Sequence, residues 1–236
     1  MFTPTALEEL YTLATNYDAD VVYCDKHYLI NADGSDLQIG SGADKFLVEE
    51  PTFETDNLAQ RYQKILQDCY RIPQWRKFVR RKLIFEREIF FPNTRHADDV
   101  IWTYGLVFHA KKFLRVPNVT YIHRRRENSI MYKARTPQQA INFWLNPVFL
   151  GLKALDKLLA RHEFFQANPQ YRYGVLEKFI DSELYWLYQC AAQLSPFEVY
   201  DALKQEYGDK FGEYDVLIPA LCAALNTQQK INATPN

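Results

Sequence analysis

Apolar side chains recur at helical spacing from the start of the chain, where Leu7, Leu10, Tyr11 and Leu13 follow Thr5. Glu8 stands three residues after Thr5, a capping-box pattern with Thr5 as N-cap. The pattern then changes. Asp20–Cys24 is a run of strand formers that predicts a buried strand continuing through His27–Ile30, closed by a turn at Asn31-Ala32-Asp33-Gly34. Residues 33–56, with Gly34, Gly40, Gly42 and Pro51, predict a long loop with little regular structure. Leu58, Tyr62, Ile65, Leu66 and Cys69 return to helical intervals and predict a second helix over 57–69. Trp75 to Ile84 predicts another, basic on one face through Arg76, Lys77, Arg80, Arg81 and Lys82. Ile89-Phe90-Phe91 is expected to be short and extended before Pro92. The next helix opens at Asp98-Asp99 and runs to about Lys112, with Lys111 and Lys112 complementing its C-terminal dipole. Val116 and Val119–His123 read as strand pieces.

Beyond Thr136 the strand signal disappears. Pro137–Leu159, Tyr173–Leu194 and Pro196–Glu206 are helical patterns separated by Asn168-Pro169 and Ser195-Pro196. The expected architecture is α/β over 1–136, an all-helical C-terminal subdomain over 137–225, and a polar tail over 226–236.

Composition narrows the class. The 236 residues suffice for one good-sized domain, or one domain with an appendage. With 47% hydrophobic and 15% aromatic residues, the chain is neither disordered nor a Leu/Ala helical bundle. A formal charge of −1 gives no electrostatic footprint for nucleic acid. Cys24, Cys69, Cys190 and Cys222 stand far apart without a CxxC, which disfavours zinc and a disulfide scaffold and fits a reducing cytoplasm. The start lacks a signal-peptide pattern, and no run approaches the ~20 apolar residues of a membrane span. The expected location is cytoplasmic, with at most peripheral contact at the inner face of the membrane through the basic 76–82 segment.

The segment with the most chemistry is Phe91-Pro92-Asn93-Thr94-Arg95-His96-Ala97-Asp98-Asp99. Adjacent carboxylates at the mouth of a helix serve as caps, and a partly buried one also serves as a general base toward a hydroxyl. His96 stands beside them as a candidate to orient a ligand or tune the carboxylates. Trp75 and Trp102 are candidates for stacking against a ligand or for core packing. Arg124-Arg125-Arg126 offers guanidinium forks to phosphate oxygens; on a strand Arg124 and Arg126 share a face and Arg125 points away.

Four segments in order resemble the second half of a family 2 glycosyltransferase of the GT-A fold, of the bacterial capsule and cell-wall type. They are Thr5–Tyr11 followed by Tyr17–Tyr23; Trp75-Arg76-Lys77-Phe78-Val79-Arg80-Arg81, like that family's W-x-K-x-x-R-R; Ile89–Pro92 leading to Asp98-Asp99-Val100, where the family has Glu-Asp; and Tyr121–Met131, like its Y-x-x-R-x-R-x-x-S-I. The resemblance implies a partial, Rossmann-like GT-A sheet with helices. It implies transfer of sugar, with inversion, from a nucleotide-sugar to an acceptor hydroxyl of a surface glycan. Asp99 takes the role of base with Asp98 as its neighbour, and Trp75, Lys77, His96, Trp102, Arg124, Arg126 and Ser129 surround acceptor or phosphates. The family uses Mg or Mn on an acidic DxD motif that should precede these segments. Asp18-Ala19-Asp20 spells DxD, but its flanks match the later helix–strand junction. The chain is therefore expected to be the acceptor-side half, inactive alone unless a protein partner supplies the nucleotide-binding half. The alternative is a non-catalytic module that completes or scaffolds a partner glycosyltransferase.

Overall fold

A computed structural model describes residues 1–41, 46–94, 97–126, 129, 135–191 and 195–207. The polar tail over 226–236 lies outside the described residues. The chain has a mixed α/β fold in two compact units. The first comprises Met1–Asn93, Asp98–Lys133 and Ala154–Leu176; the second comprises Thr94–Ala97, Ala134–Lys153 and Glu177–Asn236. The helices after Thr136 are thus shared between the units.

The first unit holds two small sheets. Strand β1 (Val21–Cys24) lies between β5 (Lys77–Val79), antiparallel, and β6 (Phe113–Val116), parallel, with β4 (Thr52–Phe53) on the outer side of β6. Strand β2 (Lys26–Ile30) lies between β3 (Gln38–Ser41), antiparallel, and β7 (Ile122–Arg124), parallel. The single strand expected over 20–30 is therefore two strands in two sheets. The break is Asp25, a buried carboxylate that takes the Val48 amide at 2.9 Å and the Arg115 guanidinium at 2.6 Å. A buried charge must be paired, and the chain turns here to reach its partners. The loop expected over 33–56 contains β3 and β4, which gain their order from pairing with β2 and β6.

Helix α1 (Ala6–Asn16) packs Leu10, Leu13 and Ala14 on one face of β1 and β6, against Val22, Leu114 and Val116. Its capping box does not form. Thr5 has φ −100° and ψ 2°, and its hydroxyl donates to Glu9 Oε1 at 2.5 Å instead of accepting from the first turn. Capping boxes form elsewhere: Thr136 exchanges bonds with Gln139 at the start of the later helix, and Ser195 with Glu198 at another, both at the three-residue spacing the motif requires.

Helix α2 (Leu58–Leu66) starts at Asn57, whose Oδ1 accepts from Ala59 and Gln60. An Asn57→Ala variant is expected to lose about 1 kcal/mol, read as a lower urea midpoint at unchanged slope.

The helix expected over 75–84 is absent. Gln74–Arg76 form a 3-10 turn, Lys77–Val79 pair with β1, and only Arg81–Glu86 are helical, as α3. Nor is the basic face uniformly solvated: Arg76 is 3% exposed and Arg80 pairs with Asp18, while Arg81 and Lys82 face solvent. Backbone pairing to a buried strand outweighs the weak local preference.

Helix α4 (Asp98–His109) is buried from Val100 through Phe108, as expected of a helix apolar on every side. It ends before Lys111. The amides of Lys111 and Lys112 donate to Asp20 Oδ2, and the Arg61 guanidinium donates to the Val107 and Ala110 carbonyls at 2.7 and 2.6 Å. The cation serving the helix C-terminus is thus Arg61, not the expected lysines. Gly105 allows close packing there, since a Cβ would stand 2.8 Å from Ile89 and 2.9 Å from Leu158.

In the helical part, α5 (Pro137–Ala160) and α7 (Pro169–Ala191) flank the short α6 (Glu163–Ala167), and α8 (Pro196–Tyr207) follows. Leu155, Leu159, Phe165 and Val175 are buried in the first unit. Phe143, Trp144 and Val148 are buried in the second, where Arg135 lies 3.8 Å above the Phe143 ring. Among the described residues no helix is long and apolar enough to cross a membrane.

Candidate active site

A cavity of about 920 Å³ opens in the first unit beside β2, β7 and the segment 68–76. One wall is aromatic. The Trp75 indole stacks on Tyr121, with centroids 4.3 Å apart and planes 13° from parallel, and the His27 and His123 imidazoles stand 5.0 and 5.7 Å from it. Strand geometry places the two histidines: Leu29 pairs with His123, and His27 lies two residues from Leu29 on the same face. Gly40, opposite His27, leaves room for the imidazole where a Cβ would collide with it.

The other lining is cationic. Arg71, Arg76, Arg124, Arg125 and Arg126 all border the cavity. Arg76 is anchored from below: Nη1 donates to the Asp25 carbonyl at 2.7 Å, and Nη2 meets His27 Nδ1 at 2.5 Å. Burial first, then the Arg76 charge, lowers the His27 pKa to about 4, so this imidazole is neutral at pH 7. Arg125 was expected to point away, but β7 ends at Arg124 and strand alternation stops there, so all three arginines reach the cavity.

Lys77 approaches from behind this wall. Its ammonium donates to the carbonyls of Arg71, Ile72 and Pro73 at 2.9, 2.8 and 3.1 Å. Burial pushes its pKa well down, and the Asp99 charge opposes that shift. Three carbonyl acceptors match the three N–H groups of an ammonium, one more than a neutral amine supplies, so the cage fits the charged form. The Ile72 carbonyl also accepts from Thr103 Oγ1 of α4 at 3.0 Å.

Asp99 lies four residues before Thr103, on the same face of α4. It is half-buried, and its carboxyl is held above the ordinary range by burial first and by the Asp98 charge second, with Lys77 pulling the other way. Ala97, just before this turn, has φ 63°, a left-handed conformation that costs an alanine about 1 kcal/mol. The backbone is thus held in an unfavourable shape at the point where the carboxylates begin.

The sequence-predicted residues are distributed as follows. Trp75, Arg124, Arg126 and Ser129 line the cavity. Lys77, Asp98 and Asp99 do not line it; Asp99 is coupled by charge to both Lys77 and Asp98. Trp102 is 8% exposed and stacks on Phe91 at 4.9 Å, so its indole belongs to the core. His96 lies outside the described residues. The cavity lining adds His27, Arg71, Arg76 and Tyr121 to these residues. Of these, Tyr121 and Arg76 stood within the motif segments, whereas His27 had only the alternation of β2 to mark it.

Asp18 pairs with Arg80 and Lys112 at 2.5 and 2.7 Å, and Asp20 caps the Lys111 and Lys112 amides. Both are committed to protein partners and do not fit a metal–diphosphate site. Among the described residues no three His, Cys, Asp or Glu side chains converge as metal ligands.

No family model matches the chain, and no curated protein matches it. Among solved structures it is similar to S. aureus TarS 1-349 in complex with UDP-GlcNAc, at 13% identity and a TM-score of 0.52, covering 86% of this chain and 54% of that one. A second structure of S. aureus TarS 1-349 matches at 13% identity and a TM-score of 0.46, covering 86% and 52%. The chain spans about half the length of these neighbours, and its fold is glycosyltransferase-like.

Proposed function

We propose that this chain carries the acceptor-side machinery of an inverting, family 2-type glycosyltransferase of the GT-A fold. The acceptor hydroxyl oxygen attacks the anomeric carbon of a nucleotide-sugar, and the bond from that carbon to the diphosphate breaks. The nucleoside diphosphate leaves with the electron pair, and the hydroxyl proton passes to Asp99. The observation that carries this reading is the half-buried Asp99 at the first turn of α4, its pKa raised by burial and by Asp98, with the Lys77 ammonium opposing. A carboxylate raised toward working pH accepts a proton more effectively than one in the ordinary range. The glycosyltransferase-like fold supports the same reading. In it, the cavity bounded by Trp75, Tyr121 and Arg124–Arg126 receives a surface-glycan acceptor, with sugar faces meeting the aromatic wall and anionic groups meeting the arginines.

The neighbour TarS was crystallised with UDP-GlcNAc, which makes UDP-sugars the first donors to offer. In this reading the donor is held by a nucleotide-binding half, which is supplied together with the chain in the assay. Release of UDP dependent on both the chain and a glycan acceptor is the expected result, in the presence of Mg or Mn. Tight association with the nucleotide-binding half but no turnover of any nucleotide-sugar would overturn the catalytic reading and leave a non-catalytic interaction module.

A further inference from the structure

A second cavity, of about 540 Å³, lies in the first unit at the opposite end of α4 from Asp98-Asp99, roughly 16 Å along the helix. Its lining brings together Arg61 from α2, Arg87 after α3, His109 at the end of α4 and Lys111 just beyond it, and Arg161 and His162 before α6. Two carboxylates oppose these cations, Asp56 and Glu163.

Arg61 is 1% exposed and serves the main chain with three of its bonds: Nε to the Thr55 carbonyl, and Nη1 to Val107 and Ala110. Its Nη2 is buried without a hydrogen-bond partner, with Asp56 Oδ1 3.7 Å away. His109 Nε2 is likewise buried and unpartnered. His162 is not a rival for the space: its Nδ1 accepts from the Phe164 amide, and it bonds the main chain of Phe108. The two residues that carry these unpartnered atoms both line the cavity, whose rim holds Arg87 and Lys111. Neither of those two makes an ion pair among the described residues, whereas Arg161 pairs with Glu88. Burial first, then His162 and Arg87, lowers the His109 pKa to about 4.

We propose that this cavity binds a phosphate dianion, free or as the phosphomonoester end of a larger molecule. With the side chains that cover these two atoms moved aside, its oxygens would accept from Arg61 Nη2 and from His109 in the Nε2–H tautomer. Arg87 and Lys111 would complete the charge balance from the rim, as guanidinium and ammonium groups do for tetrahedral oxyanions. A bound dianion satisfies both buried atoms and removes the repulsion among the cations, which water does only in part. The site is independent of glycosyl transfer, and its test reads binding alone.

Inorganic phosphate is titrated calorimetrically into the full chain at constant ionic strength, with chloride as control. Saturable one-to-one binding is expected, accompanied by movement of the His109 Hε1 resonance. Arg61 is built into the fold, so the variant is Arg87→Gln with Lys111→Gln, both exposed, which is expected to weaken phosphate about tenfold or more while leaving the unfolding midpoint in place. A parallel titration with phosphatidylcholine vesicles containing phosphatidic acid separates the sources. Vesicle binding lost in the same variant identifies a lipid headgroup, and free phosphate binding without it identifies a soluble phosphoester. Absence of saturable phosphate binding, equal affinity in the double variant, or a stationary His109 resonance overturns the proposal.

Discussion

An Arg115→Met variant is expected to lose about 3–5 kcal/mol of stability, read as a large drop in urea midpoint. Arg115 lies on β6 and is 5% exposed. Its Nε and Nη2 donate to Asp25 Oδ1 at 3.1 and 2.6 Å, its Nη1 to Glu54 Oε1 at 3.2 Å, and its Nη2 also to the Phe46 carbonyl at 2.6 Å. Asp25 and Glu54 are themselves buried, and Lys64 reaches Glu54 Oε2 at 2.5 Å from a more exposed position. Methionine preserves much of the volume and removes only the charge and donors. Two carboxylates would then share a low-dielectric site with one ammonium at its rim, and one must take a proton or draw in water. The comparison that isolates burial is Lys64→Met, where the ion pair is partly solvated and the expected cost is about 1 kcal/mol or less. Equal losses in the two variants would show that burial does not set the scale. The cluster has a positional consequence as well. It ties Asp25, where the chain leaves one sheet for the other, to the strand β6 and to the 46–54 segment, and the carbonyl that anchors Arg76 is that of Asp25 itself. Loss of Arg115 is therefore expected to loosen the cavity floor along with the fold.

This joint explains where sequence reading succeeds and where it stops. Helices α2 and α5 are legible because each repeats apolar positions over several turns, and α4 because an acidic pair opens its apolar run; both signals are local. Asp25 has no such signal: its partner Arg115 stands 90 residues away, and nothing near Asp25 distinguishes a strand that continues from one that changes sheet. The 75–84 segment misleads for a related reason. Its basic residues occur at spacings compatible with a helix, but Arg76 and Lys77 point into the protein, toward carbonyls contributed by Asp25 and by residues 71–73. Capping boxes are legible as a pattern but not as an outcome. Thr136-x-x-Gln139 and Ser195-x-x-Glu198 form, while Thr5-x-x-Glu8 fails because the Thr5 backbone is not extended. The site divides in the same way. Asp98, Asp99, Trp75, Lys77 and Arg124 sit in motifs whose order in the chain can be recognised. His27 and Arg76 acquire their positions only when β2 pairs with both β3 and β7. Arg61 and His109 are joined by helix packing across 48 residues and have no motif at all.

Asp99→Asn is expected to lower kcat for transfer about 10²–10⁴-fold, because the amide keeps the shape of the side chain but cannot take the acceptor proton. Loss of folding does not explain such a result. A carboxyl whose pKa is raised in the folded state contributes stability below its unfolded pKa and loses it as pH rises through the folded value. At pH 7 the ionised Asp99 is thus a burden on the fold, and the Asn variant should be at least as stable as the parent. The base is active when deprotonated, so the rate should rise with pH through the Asp99 pKa, with the acid limb above the ordinary carboxylate range. The two neighbours move that limb in opposite directions. Asp98→Asn removes a negative charge that favours the protonated form, and the limb should shift to lower pH. Lys77→Met removes the positive charge that favours the carboxylate, and the limb should shift to higher pH. General damage to the site lowers both rates without producing shifts of opposite sign. An Asp99→Asn enzyme that retains transfer, or two variants whose profiles move together, would take the role of base away from Asp99.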